Sequence, residues 1–234
     1  MSSPLGFDII FPMRDKLRKI YETLLMHHGL PSLPEGDPLE VLVKTVLSQN
    51  TNDRNRDLAF ERLKRFFPNW EALLEASEEE ISECLKPAGL NRQKARWIKG
   101  MLERIKDKFG RLDLSGLCEM GKEEALEWLL GIKGIGMKTA HCVLAFGCGH
   151  DVFPVDTHIL RICKRLGLLP PKVDLQKAHE VLSQWVPREI ARELHVLLIR
   201  YGQKVCKART PLCSDCLFPE ECLYHRRADG REGN

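Results

Sequence analysis

The sequence predicts an all-α protein. Three observations predict it: apolar residues recur every three or four positions along most of the chain, no run alternates apolar and polar residues between turn signals, and Gly and Pro gather in a few short stretches. Leu39, Leu42, Val43, Val46 and Leu47 follow one helix face after Asp37-Pro38, which reads as a helix start. Trp97, Met101 and Ile105 repeat at four-residue spacing. Leu126, Leu129 and Leu130 form a stripe before Gly131, and Cys142, Val143 and Phe146 form another after it. Ile190, Leu194, Leu197 and Leu198 make the last clear stripe. Loops are expected at Gly29–Pro38, Pro87–Asn91, Gly147–Pro154 and Leu168–Val173. The polar end after Arg226 is expected to be disordered.

At 234 residues, 43% hydrophobic and 29% charged, the chain has the composition of an ordinary globular protein able to bury a real core. No apolar run reaches membrane-spanning length, and Met1 to Gly29 is too charged for a secretory signal. The expectation is an intracellular chain with no membrane partner, located in the cytoplasm or with the nucleoid. The net charge of +3 permits a polyanionic partner without demanding one. Its distribution says more. Lys86, Arg92, Lys94, Arg96, Lys99, Arg104 and Lys106 face a single acid, Glu103, just after the acidic run Glu75, Glu78, Glu79, Glu80 and Glu83. This is either a positive face or a solvated helix surface. Of the nine cysteines, Cys84, Cys118, Cys142, Cys148 and Cys163 are scattered, mostly among apolar neighbours, and are expected to be free buried thiols.

The most informative segment runs from Leu129 to Ala140. An apolar helix stops at Gly131, a short turn carries Lys133, Gly134 and Gly136, and a second apolar helix starts at about Met137. The glycines permit positive φ and close backbone approach. The free amides of the turn and of the new helix form a phosphate site that reads no base sequence. The plainer reading is an αα-hairpin with a glycine turn. Lys138 lies in the first turn of the second helix, where the helix dipole disfavours a cation. Held neutral, its amine would suit nucleophilic attack and Schiff-base formation. The plainer reading is a surface lysine reaching a phosphate.

Asp156 follows eighteen residues later in Phe153-Pro154-Val155-Asp156-Thr157-His158. It sits directly before a helix starting near Thr157, where Asp is a good N-cap. A carboxylate near a lysine can also act as a base or stabilise a developing cation. His158 reads as a packing or hydrogen-bonding residue. Cys206, Cys213, Cys216 and Cys222 have the spacing C-x6-C-x2-C-x5-C. Four thiolates this close fit a zinc ion or an iron–sulfur cluster, and a single tight pair favours the cluster. The short basic loop from Lys207 through Arg209 to Pro211 could meet a phosphate or simply face solvent.

Leu47-Ser48-Gln49-Asn50-Thr51-Asn52-Asp53, the Gly134–Ala140 hairpin, Val155-Asp156-Thr157-His158 and the four cysteines together resemble the endonuclease III family of helix–hairpin–helix DNA glycosylases over about residues 20 to 225. The resemblance implies two helical lobes. One is a six-helix barrel carrying the hairpin, about residues 37–149. The other joins residues 1–36 to 150–226 and holds a 4Fe–4S cluster on Cys206, Cys213, Cys216 and Cys222, with 227–234 as the disordered tail. The active site would lie in a groove between the lobes, with Lys138 on one wall and Asp156 on the other.

It also implies a monomer acting on double-stranded DNA with a damaged base or an abasic site. The target nucleotide is flipped out, Lys138 displaces the base, Asp156 assists, and the Schiff base undergoes β-elimination. The related adenine-mismatch glycosylases usually lack this lysine. Gly134, Gly136, Lys133, Gln49, Asn50, Leu90, Lys207 and Arg209 are the expected DNA contacts. Asn50, beside Gln49, stands where the family usually has Gln to fill the gap left by the flipped base, and Leu90 matches the second gap-filling position. Oxidised pyrimidines are the expected substrates. Ser48-Gln49-Asn50-Thr51 and Phe153-Pro154 also look like the plant 5-methylcytosine glycosylases, so modified cytosine, or uracil and thymine in mismatches, are alternatives. A non-catalytic DNA-binding module is the alternative of another class.

Overall fold

A computed structural model describes residues 7–228, and among these the regular structure is entirely helical. Contacts divide the chain into two compact units. One is Pro34–His150; the other joins the residues up to Leu33 to those from Asp151 on. No helix among the described residues is long and apolar enough to cross a membrane.

The unit Pro34–His150 is organised around α2 (Pro38–Leu47). Asp37 caps it by accepting from the Leu39 and Glu40 amides, and Pro38 fills the first turn, where a missing N–H costs nothing. Six of its ten residues are buried: Leu39, Val41, Leu42, Val43, Val46 and Leu47. A helix with so wide an apolar face belongs largely inside, and α3 (Asp53–Phe66), α6 (Asn91–Phe109) and α9 (Met137–Cys142) pack against it. The π turn Val143–Gly147 that continues α9 does so too, where Gly147 lies so close that an added Cβ would stand 2.8 Å from the Pro38 Cα. Around these lie α4 (Trp70–Glu75), α5 (Glu78–Leu85), α7 (Ser115–Glu119) and α8 (Lys122–Leu130).

One open reading for this unit is decided and one expectation is corrected. The basic segment is not one positive face. Lys94 is fully buried, Lys86 pairs with Glu83, Arg96 pairs with Glu78, and Lys99 donates to the Ala76 carbonyl. Two acids of α5 thus answer two of the seven cations, and two more are turned to backbone carbonyls. Cys118 and Cys148 are not free thiols but form a disulfide. The end of α7 and the turn after Gly147 bring their Cα atoms to 4.7 Å, within bridging range. Cys84, Cys142 and Cys163 are buried and take no part in a disulfide, as expected.

In the other unit, α1 (Phe7–His28), α10 (Thr157–Arg165), α11 (Leu175–Trp185) and α12 (Arg188–Lys204) enclose a core that includes Leu17, Leu24, Ile159, Leu182, Leu194, Leu198 and Tyr201. Arg18 to Glu189 and Tyr21 to Glu193 tie α1 to α12. The short α13 is Leu223–Ala228, so helix reaches two residues into the tail expected from 227. The rest of that tail, 229–234, lies outside the described residues.

Leu42→Ala should lower stability by about 2–5 kcal/mol, because Leu42 is fully buried and its truncation leaves a cavity that packed neighbours fill only in part. A denaturant midpoint shifted by much less would show that α2 is not the packed centre of its unit. Lys94 gives a pH test. Burial lowers its amine from 10.5 to about 8. Between those values the folded state binds fewer protons than the unfolded one, so stability relative to Lys94→Met should rise as pH climbs from about 8 to 10.5. A difference that is flat across that window would contradict the burial of the charge.

Candidate functional site

The hairpin is built from the bottom of the turn upward. Helix α8 ends where the Gly131 amide donates to the Glu127 and Trp128 carbonyls, at 3.1 and 3.2 Å. Ile132 and Ile135 then point inward and are almost wholly buried, pinning the turn at both sides. Gly134 lies between them with φ of 92°. An added Cβ there would stand 2.6 Å from Trp97 Cγ, so both backbone conformation and space demand glycine. Gln49 Nε2 donates to the Gly134 carbonyl at 3.2 Å, tying the segment after α2 to the tip of the hairpin.

Gly136 is the N-cap of α9 and brings no side chain to its first amides. Lys133 and Gly136 are exposed. Lys138, the second residue of α9, is half-buried, while Thr139, Ala140, His141 and Cys142 behind it are buried. The lysine therefore stands on a short helix whose other residues fix it to the core.

Asn50 and Leu90 are both exposed, and both have left-handed backbones, with φ of 55° and 48°. They are the only non-glycine residues with positive φ among the described residues. Backbone of this kind is uncommon outside glycine and needs its surroundings to hold it.

In the other unit, Asp156 is the N-cap of α10, its Oδ1 accepting from the Ile159 amide at 2.8 Å. The buried strip before it is stitched down residue by residue. The Phe153 amide donates to Ser183 Oγ, the Val155 amide donates to His179 Nδ1, and His195 Nδ1 lies 2.9 Å from the Pro154 carbonyl. His158 packs against Gly202, where an added Cβ would stand 2.8 Å from its own Cβ, and its Nδ1 is 3.0 Å from Arg161 Nη2. The residue is a packing and hydrogen-bonding one, as the sequence suggested.

Arg161 and Arg165, one turn apart on α10, hold the cysteine segment. Arg161 donates to the carbonyls of Cys206 and Gly202, and Arg165 to those of Lys207 and Ala208. Arg165 also donates to Cys206 Sγ at 3.2 Å. The Tyr201 hydroxyl and the Phe218 amide reach Cys216 Sγ at 3.2 and 3.4 Å. Cys206, Cys213, Cys216 and Cys222 line one small cavity. Burial, with the three neighbouring thiols, raises the Cys213 thiol above its ordinary value. Among the described residues no three His, Cys, Asp or Glu side chains are gathered closely enough to hold a single ion. Lys207 and Arg209, on the loop that Arg165 secures, are exposed.

Sequence reasoning missed Lys94, Trp97, Arg161 and Arg165. Only the arginines carried a signal, their four-residue spacing on a helix that opens at Asp156. Lys94 counted as one more surface charge, and Trp97 as one more apolar residue of a stripe.

The sequence matches the family described as "HhH-GPD superfamily base excision DNA repair protein" over residues 43–188. A protein of Arabidopsis thaliana, by name a DNA glycosylase, is 38% identical over 192 residues, 82% of this chain and 63% of its own length. This chain thus spans less than two thirds of that relative. Endonuclease III of Thermotoga maritima is 32% identical, covering 82% of this chain and 86% of the enzyme. The fold is that of a structure described as a non-covalent endonuclease III–DNA complex, with a TM-score of 0.77 at 24% identity over 94% of this chain and 99% of that one. The family match contains the whole hairpin, Lys138 and Asp156. The chain belongs to the HhH-GPD superfamily of base excision DNA repair proteins.

Proposed function

We propose that the protein is a DNA glycosylase with lyase activity that removes oxidised pyrimidines from duplex DNA as a monomer. One observation carries the reading: Lys138, half-buried, stands in the first turn of the helix that follows the Gly134–Gly136 turn. A pure DNA-binding module needs the turn but has no use for an amine held in this way.

The target base must leave the stack before any side chain can reach its sugar, at a cost of a few kcal/mol that is least for a damaged pair. The Lys138 Nζ lone pair attacks the anomeric carbon, and the N-glycosidic bond breaks with its electron pair leaving on the base, which takes up a proton. Asp156 stabilises the developing sugar cation or accepts the proton released by the amine. The ring then opens to an iminium. Loss of a proton from the neighbouring sugar carbon expels the 3′ phosphate by β-elimination, and water finally hydrolyses the Schiff base. Lys133 and the amides around Gly134 and Gly136 bind backbone phosphates, reading no sequence. Gln49, Asn50 and Leu90 meet the duplex at the lesion, and Lys207 and Arg209 add phosphate contacts.

Cys206, Cys213, Cys216 and Cys222 would hold a 4Fe–4S cluster, whose thiolate bonds would fix the loop between Cys206 and Cys213. What supports the fit is that all four thiols line one cavity and that Arg165, Tyr201 and the Phe218 amide donate to the sulfurs. Donors of this kind stabilise ligating thiolates.

Borohydride trapping tests the chemistry. Duplexes carrying thymine glycol, dihydrouracil, uracil opposite guanine, thymine opposite guanine, 5-methylcytosine or an abasic site are each offered to the wild type and to Lys138→Gln. A covalent adduct with the wild type alone, strongest on thymine glycol or dihydrouracil, is the expected outcome. An adduct that survives in Lys138→Gln removes the lysine from the mechanism, and a strongest signal on another duplex reassigns the substrate. Metal analysis tests the cluster. Purified wild type should carry about four irons per chain, and Cys213→Ser should lose iron and soluble yield together. Zinc in place of iron would overturn the assignment.

A further inference from the structure

Lys94 is fully buried, yet it has no carboxylate partner in any ion pair among the described residues. Its Nζ instead donates to two carbonyls, Leu47 and Ala88, each at 2.8 Å. Neither acceptor belongs to the lysine's own helix. Leu47 ends α2, three residues before Asn50. Ala88 ends the short 3-10 turn Lys86–Ala88, two residues before Leu90. The main chain of the same residue completes the arrangement, because the Lys94 amide donates to the Leu90 carbonyl at 2.9 Å.

The two segments so joined end in the two left-handed non-glycine residues of the described chain. Leu is a poor choice for such a backbone, since its Cβ crowds the following carbonyl and its side chain offers no polar atom to hold the turn. Something outside Leu90 must keep it there. Further bonds brace the outer ends of the pair. Asn91 Nδ2 donates to Ser82 Oγ and to the Ser82 carbonyl, and Gln49 Nε2 donates to the Gly134 carbonyl. The Lys94 amine holds both segments at once. An apolar residue would fill the same core space at a smaller desolvation cost, so the amine is there for what it joins.

We infer that Lys94 is a positioning residue that locks Asn50 and Leu90 in their left-handed conformations and at a fixed separation, so that both side chains enter the duplex together when the target nucleotide leaves it. The inference rests on the glycosylase reading. It divides the work of the unit in two: Lys138 supplies the chemistry, while Lys94, out of reach of DNA, sets the rigidity of the wedge that opens the helix. A wedge free to relax would yield to the stacked bases, and extrusion of a paired base would suffer more than cleavage at a site whose base is already gone.

The test compares Lys94→Met with wild type in single turnover, on a duplex with a paired substrate base and on the same duplex with an abasic site. The wild type is measured first. If it does not nick the abasic duplex, the lyase reading fails before the role of Lys94 is reached. With that activity in hand, the ratio of base excision to abasic nicking should fall by about tenfold or more in Lys94→Met. Equal loss on both duplexes leaves the ratio unchanged, and would make Lys94 a mere core residue with no part in base opening. A cycle with Leu90→Ala gives a second reading: once the wedge is truncated, Lys94→Met should lower the ratio by only about twofold or less. A full tenfold effect retained without the Leu90 side chain would overturn the coupling. If Lys94→Met does not give folded protein, Lys94→Gln, which keeps a donor on a shorter stem, should show a smaller loss in the same ratio, and no loss would reject the proposal.

Discussion

The unit that carries the hairpin depends on the burial of α2. Six of its ten residues are buried, Glu40 and Lys44 mark the side that reaches solvent, and both ends are closed by bonded polar groups. The first end is closed by Asp37 and Pro38. The last is closed by the buried Lys94 amine at the Leu47 carbonyl, after which the chain turns through Ser48 and Gln49 to Asn50. From this single axis the rest follows. Gln49 leaves the end of α2 and meets the hairpin tip at Gly134. Gly134 rests on Trp97 of α6, and α9 with its π turn returns against α2. The backbone that carries Lys138 is thus placed by a closed circuit of contacts rather than by its own short helix, since six residues of helix have little stability of their own.

The other unit solves a different problem. The segment from Cys206 to Cys222 has few apolar side chains to bury, and the loop Lys207–Thr210 is exposed throughout. Hydrophobic burial cannot fix such a segment, so hydrogen bonds must. Arg161 and Arg165 supply them from the same face of α10, using five donor contacts to carbonyls of residues 202 to 208 and one to a sulfur. The same α10 starts at Asp156. One helix therefore presents the proposed catalytic carboxylate at its first turn and grips the cysteine segment with its later turns, so the position of the loop and that of the carboxylate are set by one rigid element.

The sequence showed the parts of this architecture that obey local rules. The helical class followed from period, the limits of the hairpin from its glycines, and the caps at Asp37 and Asp156 from residue type and place. It failed where meaning depends on a distant partner. Lys94 sits in a run of cations and is indistinguishable from them by spacing, although the acceptors that make its burial possible lie 47 and 6 residues away. Cys118 and Cys148 are 30 residues apart and look like any two core thiols until α7 and the Gly147 turn meet. The left-handed backbones at Asn50 and Leu90 were equally hidden, because no glycine marks them. Local pattern specifies elements, whereas the strained and buried polar positions are fixed by packing between them, and those are the positions where function is expected to reside.

Asp156 shows how a stabilising role and a chemical one can be the same arrangement. As an N-cap its Oδ1 is committed to the Ile159 amide. The commitment fixes the direction of the side chain before substrate arrives. Electrostatic stabilisation of a transition state is worth most when the stabilising group need not reorganise, and a capping carboxylate already meets that condition, since it has lost its rotamer freedom to the fold. The buried strip Val152–Val155 removes the remaining slack, with three of its groups bonded to α11 and α12. The cap and the catalyst are therefore not competing readings of Asp156. In the proposed mechanism the helix start is what holds the carboxylate ready for a cationic sugar, and on that proposal its removal would be felt both in the fold of α10 and in the reaction.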